Sequence, residues 1–449
     1  MVIVIIYFLY HLAIDTVQLS LARSRFTIFV LTHRTRGIVS SIPFGECMIE
    51  LHSSHYKKAC FALALGSFIV FCNLYLFQPM LPLMAQEFGV SATAINWVLA
   101  ATTLMLALCL IPWAIASEVV GRRVIMLVSL SLLPIVGGGM VFSNSLLTLT
   151  ILRALMGISV AGFIAVAVAY MAEEFTPKAL MVAVGSYISA NSLGGIVGRL
   201  YGGIISEHYG WHLAVLGLAI FSLIGAVIVF KLLPEQQHFE PNRQGLQAHS
   251  KHLVHHLKQP VLWLAMLIGG INFALFVNLY SVSGFRLVAA PFNLPLSWAA
   301  LIFLCYLSGT ITAKMSGKWA NRFSPISGML LGGIVSLVGM WLGLVEARSM
   351  IFVSLLLISS GAFFTHSLAY AWVSKNAQVA KATATAMYLV HYYVGGSVGG
   401  FLLIYCWQHG AWGGVVTGGT VLYGAMFVLC WLLAKVSERN KSLLVQPAV

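Results

Sequence analysis

Gly185-Ser-Tyr-Ile-Ser-Ala-Asn-Ser-Leu-Gly-Gly-Ile-Val-Gly198, with Arg199 after it, is apolar yet carries a ladder of small residues. Ala190, Gly194, Gly198 and Gly202 recur at every fourth position, which puts them on one face of a helix. Inside a bilayer such a face lets two backbones approach closely, because packing rather than hydrophobicity decides helix association there. Much of the pattern returns 201 residues later: Tyr187, Gly194, Gly195 and Gly198 fall on Tyr388, Gly395, Gly396 and Gly399. The match continues past the helix, where His208 and Trp211 fall on His409 and Trp412. The repeat implies two similar halves, each packing a glycine-faced helix against its neighbours.

The composition agrees. Of 449 residues, 60% are hydrophobic and 8% charged, against about 25% charged in a soluble domain. With a mean hydropathy of +0.93, the chain reads as an all-α polytopic membrane protein. A formal net charge of +13 would suggest nucleic acid in a soluble protein. Here it reads as the Lys and Arg excess of cytoplasmic loops, with the lipid bilayer and not nucleic acid as the partner. The seven cysteines include no C-x-x-C pair. Cys72, Cys109, Cys305, Cys406 and Cys430 lie in apolar segments as small hydrophobes, so neither a disulfide framework nor a metal site is implied.

From Cys60 onward, twelve apolar segments of membrane-spanning length follow, at about 60–84, 95–116, 124–142, 147–172, 180–203, 211–233, 261–284, 297–315, 326–345, 350–373, 382–406 and 412–434. The expected organisation is an atypical, disordered extension at 1–58, a six-helix bundle at 59–233, a linker at 234–260, a second bundle at 261–436 and a tail at 437–449. The extension makes a poor signal peptide, with no positive start before its apolar run, and is expected to be dispensable. Fifteen Lys and Arg lie in connections on the linker's side, against Arg286, Arg348 and the helix-end Arg199 on the other. That asymmetry places both ends of the twelve-helix body in the cytoplasm.

The second connection reads Ala114-Ile-Ala-Ser-Glu118-Val-Val-Gly121-Arg122-Arg123. It is a tight turn with a carboxylate one helical turn before a glycine and two arginines, and its plainest reading is positive-inside charge. The stretch also resembles the G-x-x-x-D-x-x-G-R-R/K gating loop of the major facilitator superfamily, with Ala114 at the first glycine and Glu118 at the aspartate. A partial copy, Gly317 to Asn321 and Ser324, stands 203 residues later. Arg153 with Gly157 resembles the family's intramembrane arginine motif. Ala190-Asn191-Ser192-Leu193-Gly194-Gly195 resembles its antiporter motif, with Asn191 where proline is expected. The chain is especially similar to poorly characterised proteobacterial inner-membrane members, through Asn191 to Arg199 and the Pro234-Glu235-Gln236-Gln237-His238-Phe239 run. The resemblance covers about Cys60 to Arg439. It implies two pseudo-symmetric six-helix bundles around a central cavity lined by helices one, four, seven and ten.

Arg153 is the sharpest single residue, since an arginine within a span costs about 2.5–3.5 kcal/mol on insertion scales. It either faces the substrate cavity or ties its helix to neighbouring backbone carbonyls. No Asp or Glu lies at mid-depth; Glu87 and Glu207 sit near outer ends. Proton coupling would then fall to histidine, which titrates in the physiological range: to His391, beside Tyr388 and Tyr392, ahead of His366. The alternative for each is a neutral packing residue. Asn73, Gln78, Asn272 and Asn278 are either cavity lining or interhelical hydrogen-bond formers. Four linker histidines, His249, His252, His255 and His256, read as one part of a solvated surface helix.

The expectation is a monomeric, cofactor-free secondary transporter of the cell inner membrane, not an enzyme. It would move a small organic solute by alternating access, with proton-coupled efflux ahead of proton-coupled import. The other class open is a non-transporting receptor or inactive relic. No Walker A motif points to ATP hydrolysis.

Overall fold

The computed structural model describes residues 48–241 and 246–445. The expected extension up to residue 47 and the last four residues lie outside them. Twelve spans follow one another: α1 (Ser54–Tyr75), α2 (Trp97–Val120), α3 (Arg122–Val141), α4 (Leu146–Glu174), α5 (Pro177–Tyr209), α6 (Trp211–Leu232), α7 (Pro260–Val288), α8 (Leu296–Arg322), α9 (Pro325–Leu342), α10 (Arg348–Asn376), α11 (381–409) and α12 (412–445). The last two run together as one helical stretch, but Gly410 and Ala411 leave helical geometry between them. A straight rod over the described 59 residues from Lys381 to Arg439 would be about 88 Å long, too long for a single crossing of a hydrocarbon core of about 30 Å.

Local chemistry sets the ends. Ser53 caps α1 by accepting from the Tyr56 amide at 3.0 Å. α2 turns into α3 through one residue, Gly121, at φ +107°, and α5 turns into α6 through Gly210 at φ +81°. Such angles are open to glycine at little cost. Pro112 and Pro134 stand inside α2 and α3, tolerated because neighbouring groups in a bundle can satisfy the freed carbonyls.

Two expectations shift. The first apolar segment, 60–84, is not one helix: α1 ends at Tyr75, a turn carries Pro79, and a short helix Leu81–Glu87 follows. The boundary at 58 also moves. α1 begins at Ser54, and Ile49 pairs with the α4–α5 corner, its amide donating to the Glu174 carbonyl at 2.8 Å and its carbonyl accepting from Thr176 at 3.2 Å. Tyr56 packs on Phe175 at 5.8 Å between ring centres. Residues 48–58 therefore join the body, because the corner between α4 and α5 leaves backbone groups for them to pair.

α1–α6 form one group and α7–α12 the other, joined through 233–259, whose described helix is Leu246–Leu257. The halves meet mainly at the end remote from that linker. There the start of α8 packs on α5, the helix Leu81–Glu87 packs on α7, and α2 packs on α11. Gly203 on α5 backs onto Ala300, with Ala300 Cβ 2.5 Å from where a Gly203 Cβ would stand. The Glu207 carboxylate accepts from the Ser297 amide at 2.5 Å, the Thr103 and Ser397 hydroxyls lie 2.7 Å apart, and Thr93 bonds Gln408. Toward the linker the same helices stand exposed, as at Met181 on α5 and Lys314 and Lys318 on α8.

Candidate functional site

Arg153, on α4, is wholly buried. Its Nε donates to the Val98 carbonyl of α2 at 2.9 Å, and its two terminal nitrogens donate to the Asn73 and Leu74 carbonyls of α1, each at 3.0 Å. The Thr102 hydroxyl donates to the Arg153 carbonyl at 2.9 Å. Every guanidinium nitrogen thus has a carbonyl partner, and Arg153 ties α4 to α1 and α2. Asn73 works beside it: its amide donates to the Ile69 carbonyl and the Ser222 hydroxyl, both at 2.9 Å. Both residues hold the first half together.

The seam between the halves is built around Gln78 and Arg199. Gln78 sits just past α1 and donates to the Val277 carbonyl at 2.8 Å and the Ser281 hydroxyl at 2.9 Å, both on α7. Its amide oxygen accepts from Arg199 Nε at 2.7 Å. Arg199, on α5 and 1% exposed, also donates to the Gly195 carbonyl at 2.7 Å. Its guanidinium carbon lies 3.8 Å from the Tyr75 ring centre, 4.8 Å from Tyr306 and 4.9 Å from Phe303. Tyr75 belongs to the first half, Phe303 and Tyr306 to the second. Electron-rich ring faces stabilise a cation out of water.

On the second half, α10 and α11 bring His366 and Tyr388 together: Nδ1 and the phenol share a hydrogen bond of 2.9 Å. The Tyr392 ring is 4.4 Å from the imidazole and stacks on Phe273 at 3.9 Å. His391 does not join this cluster, contrary to the sequence reading. It shares a helical stripe with the exposed Val398, Leu402 and Tyr405, and its Nδ1 bonds the Met387 carbonyl of its own helix at 2.8 Å. Asn272 ties α7 to α10 through the Ala362 carbonyl at 3.0 Å. Asn278 ties α7 to α11 through the Gly396 carbonyl at 2.8 Å. Asn191, half-buried, lies by Tyr187 with its side-chain oxygen unpartnered.

The glycine ladders make the close approaches that bring these groups together. A Cβ on Gly198 would stand 2.7 Å from Cys72 Cα, and one on Gly194 would meet the Phe68 carbonyl oxygen, both on α1. On α11, a Cβ at Gly399 would stand 2.7 Å from Ala274 Cα, and Gly395 backs onto Gly270, both on α7. Gly195 and Gly396 face side chains instead, Arg199 and Phe273.

At the linker end, Arg122 pairs with Glu173 at 3.0 Å, and the Arg123 amide donates to Gln236 at 2.9 Å. Glu118 lies one turn before Gly121, on the last turn of α2. Glu174, buried, accepts from the Gln237 and His238 amides at 3.0 Å each. The Pro234–Phe239 run is therefore a strap docked on the first half. Gly317 and Asn321 stand exposed on α8, Asn321 lining a groove of about 760 Å³ with Lys318, Trp319 and Arg322. The side chains of His249 and His252 lie outside the described residues.

Residues 63–400 match the Major Facilitator Superfamily. The chain belongs to this family. It is similar to the inner membrane transport protein YnfM of Escherichia coli, 32% identical over 84% of this chain and 90% of that protein. It is also similar to the uncharacterised MFS-type transporter YybF of Bacillus subtilis, 31% identical over 84% of this chain and 93% of that one. The fold matches the crystal structure of a bacterial homologue of the human lysosomal transporter Spinster, inward-facing and occupied, with a TM-score of 0.71 at 15% identity over 86% of this chain and 98% of that one. The protein is a membrane transporter of the superfamily's twelve-helix, two-bundle architecture.

Sequence reasoning missed four residues of the seam: Arg199, Tyr75, Phe303 and Tyr306. Arg199 reads in sequence as a helix-end charge. A signal was present, since the expected segment 180–203 already enclosed it, and α5 runs ten residues beyond it to Tyr209.

Proposed function

We propose that this superfamily member exports a small organic solute by alternating access, coupled to protons entering through His366. The Lys and Arg bias supports a cytoplasmic linker end in an inner-membrane protein, and with it an inward-facing state whose outer face the far-end contacts close. One chain supplies both sides of the seam, which supports a working monomer. The observation that carries the proton step is the His366–Tyr388 bond between α10 and α11. Neutral imidazole can accept from the phenol at Nδ1, whereas imidazolium can only donate. The same phenol lies 3.3 Å from the His366 carbonyl, so a proton on the imidazole bears on which acceptor the Tyr388 hydroxyl takes, and a proton is thereby linked to the contact between two helices. Export rests on the helix-five run around Asn191 that resembles the antiporter motif; import would show as proton and solute moving the same way.

The test uses proteoliposomes with a pH-sensitive dye inside, loaded with a solute panel. Wild type should show solute-dependent proton movement opposite to solute flux. His366→Gln, which keeps hydrogen-bonding capacity without titrating, should lose that movement while still exchanging solute. Unchanged proton movement in His366→Gln would eliminate the residue as the coupling site.

A further inference from the structure

We infer that the transported solute is an organic anion, a carboxylate on a planar apolar body, and that Arg199 with the Tyr306 hydroxyl forms the subsite that reads its carboxylate. This rests on the transporter reading above and names its substrate class.

Two of the three buried arginines, Arg153 and Arg199, lie within the bundles and differ in what their donors do; the third, Arg286 near the end of α7, donates to the Gly343 carbonyl. Arg153 spends each nitrogen on a carbonyl. Arg199 donates to Gln78 and Gly195 and also lies within bonding reach of the Tyr75 phenol, which leaves part of a guanidinium's five N–H groups for a ligand. Among the described residues the two ion pairs lie at the linker end, Arg122 with Glu173 and His238 with Glu174, and neither includes Arg199. Of the acids nearest the far end, Glu87 accepts from the Trp211 indole and Glu207 from the Ser297 amide. A charge taken out of water is costly unless paired, and an intramembrane arginine is by default a substrate or ion contact.

The second observation is Tyr306. Its ring centre lies 4.8 Å from the guanidinium carbon, the residue is 7% exposed, and its hydroxyl has no hydrogen-bond partner. A buried hydroxyl left unpartnered costs about 1–3 kcal/mol, so a ligand acceptor there would recover a real term. A carboxylate suits both groups, because its two oxygens accept from the guanidinium fork and the phenol together. Around Tyr306 stand Tyr280 at 4.6 Å, Phe276 at 4.8 Å and Phe363 at 5.9 Å between ring centres. These rings give the subsite an apolar, aromatic surround. The subsite also draws on both halves, so its occupant contacts the pair of bodies whose relative motion is transport.

Three probes share a ring and differ in charge: benzoate, benzamide and benzylamine. Thermal unfolding of the purified full chain in detergent should shift upward with benzoate and not with the other two. Tyr306→Phe removes only an unpartnered hydroxyl, so its unliganded midpoint should equal or exceed that of wild type, while half-saturation by benzoate should weaken about tenfold. Arg199→Lys should weaken it further, since lysine lacks the planar fork. Equal stabilisation by benzamide, absence of any shift with benzoate, or unchanged benzoate affinity in Tyr306→Phe each overturns the proposal. The failures are separable. If benzylamine takes benzoate's place and drives proton movement in proteoliposomes, the transporter reading stands and the anion subsite falls. If benzoate binds through Tyr306 but no probe moves protons, the subsite stands and proton coupling falls.

Discussion

The two halves share a scaffold and carry different loads. α4 and α10 are each 29 residues long, and Arg153 corresponds, 202 positions on, to Leu355. In the first half the arginine ties α4 to α1. In the second the same pair, α10 and α7, is tied from the other side: the Tyr280 phenol of α7 donates to the Leu355 carbonyl at 2.9 Å and bonds Ser359. On α5 and α11, Gly198 and Gly399 make equivalent backbone approaches, and His208 and His409 each bond a carbonyl of their own helix at 2.9 Å. Yet Arg199 has Gly400 at its counterpart position, wedged between Asn96 and Asn278. Backbone approach is what the repeat preserves. Charge is what it divides unevenly: Arg153 and Arg199 are buried in the first half, while the second buries Arg286 near the end of α7 and carries His366 with most of the seam's aromatic rings.

The sharpest way to break this comparison is to remove the two ties. Arg153→Ala leaves three buried carbonyls without their donor, at about 1.5–3 kcal/mol for each charged hydrogen bond, while relieving an insertion cost of about 3 kcal/mol. The net loss should be about 1.5–6 kcal/mol by those terms, seen as reduced folded protein and a lower unfolding temperature in detergent. Tyr280→Phe gives up neutral hydrogen bonds and should cost about 1 kcal/mol. If Arg153→Ala folds like wild type and loses only transport, the arginine belongs with the substrate and the tie is incidental.

The ladders give the next effect. Gly198→Ala would place Cβ 2.7 Å from Cys72 Cα and 2.8 Å from its carbonyl oxygen. Backbone atoms cannot swing aside, so overpacking of about 1–3 kcal/mol is expected. Gly399→Ala, against Ala274 Cα and Cβ, should cost a similar amount. Gly195→Ala meets Arg199 Nη1 at 3.2 Å, the end of a flexible side chain, and should change stability far less. Comparable thermal midpoints for the alanine variants at 195 and 198 would reject the ladder as the packing face, and damage at only one of 198 and 399 would reject their equivalence.

The scaffold was legible because it depends on one-dimensional features. Apolar runs of fixed length, small residues at a spacing of four and a repeat at 201 residues are all readable along a single chain. The site was less legible because it depends on which way a side chain points toward a helix a hundred or more residues away. Arg153 and Arg199 both fall within expected apolar segments, although Arg199 reads as a helix-end charge. Only placement separates one that faces carbonyls of its own half from one that faces rings of the other. His391 and His366 are a similar case: nearness to Tyr388 along the chain favoured His391, whereas the contact across helices belongs to His366. The break at Pro79 and the pairing of Ile49 with the α4–α5 corner have the same origin, since neither is visible until the partner element is in place.

The smallest expected effect lies at the hairpin that ends each glycine-faced helix. Gly210 turns α5 into α6 at φ +81° and ψ 156°. Its counterpart turning α11 into α12 is Ala411, at φ +47° and ψ −146°. An L-residue with a side chain is strained there, at about 1–3 kcal/mol for such outliers, whereas glycine adopts positive φ readily. Ala411→Gly should therefore stabilise the second half, with greater flexibility of the unfolded chain offsetting part of the gain. A net of about 0.5–1 kcal/mol is expected, a rise of a few degrees at most in the unfolding midpoint. Gly210→Ala, made in the same background, should lower the midpoint, because it imposes on the first half the strain that the second already carries. A pair of shifts with these opposite signs supports a shared turn geometry at the two hairpins. If Ala411→Gly destabilises instead, the α11–α12 corner does not hold its alanine at positive φ, and the correspondence between the halves ends at the helices.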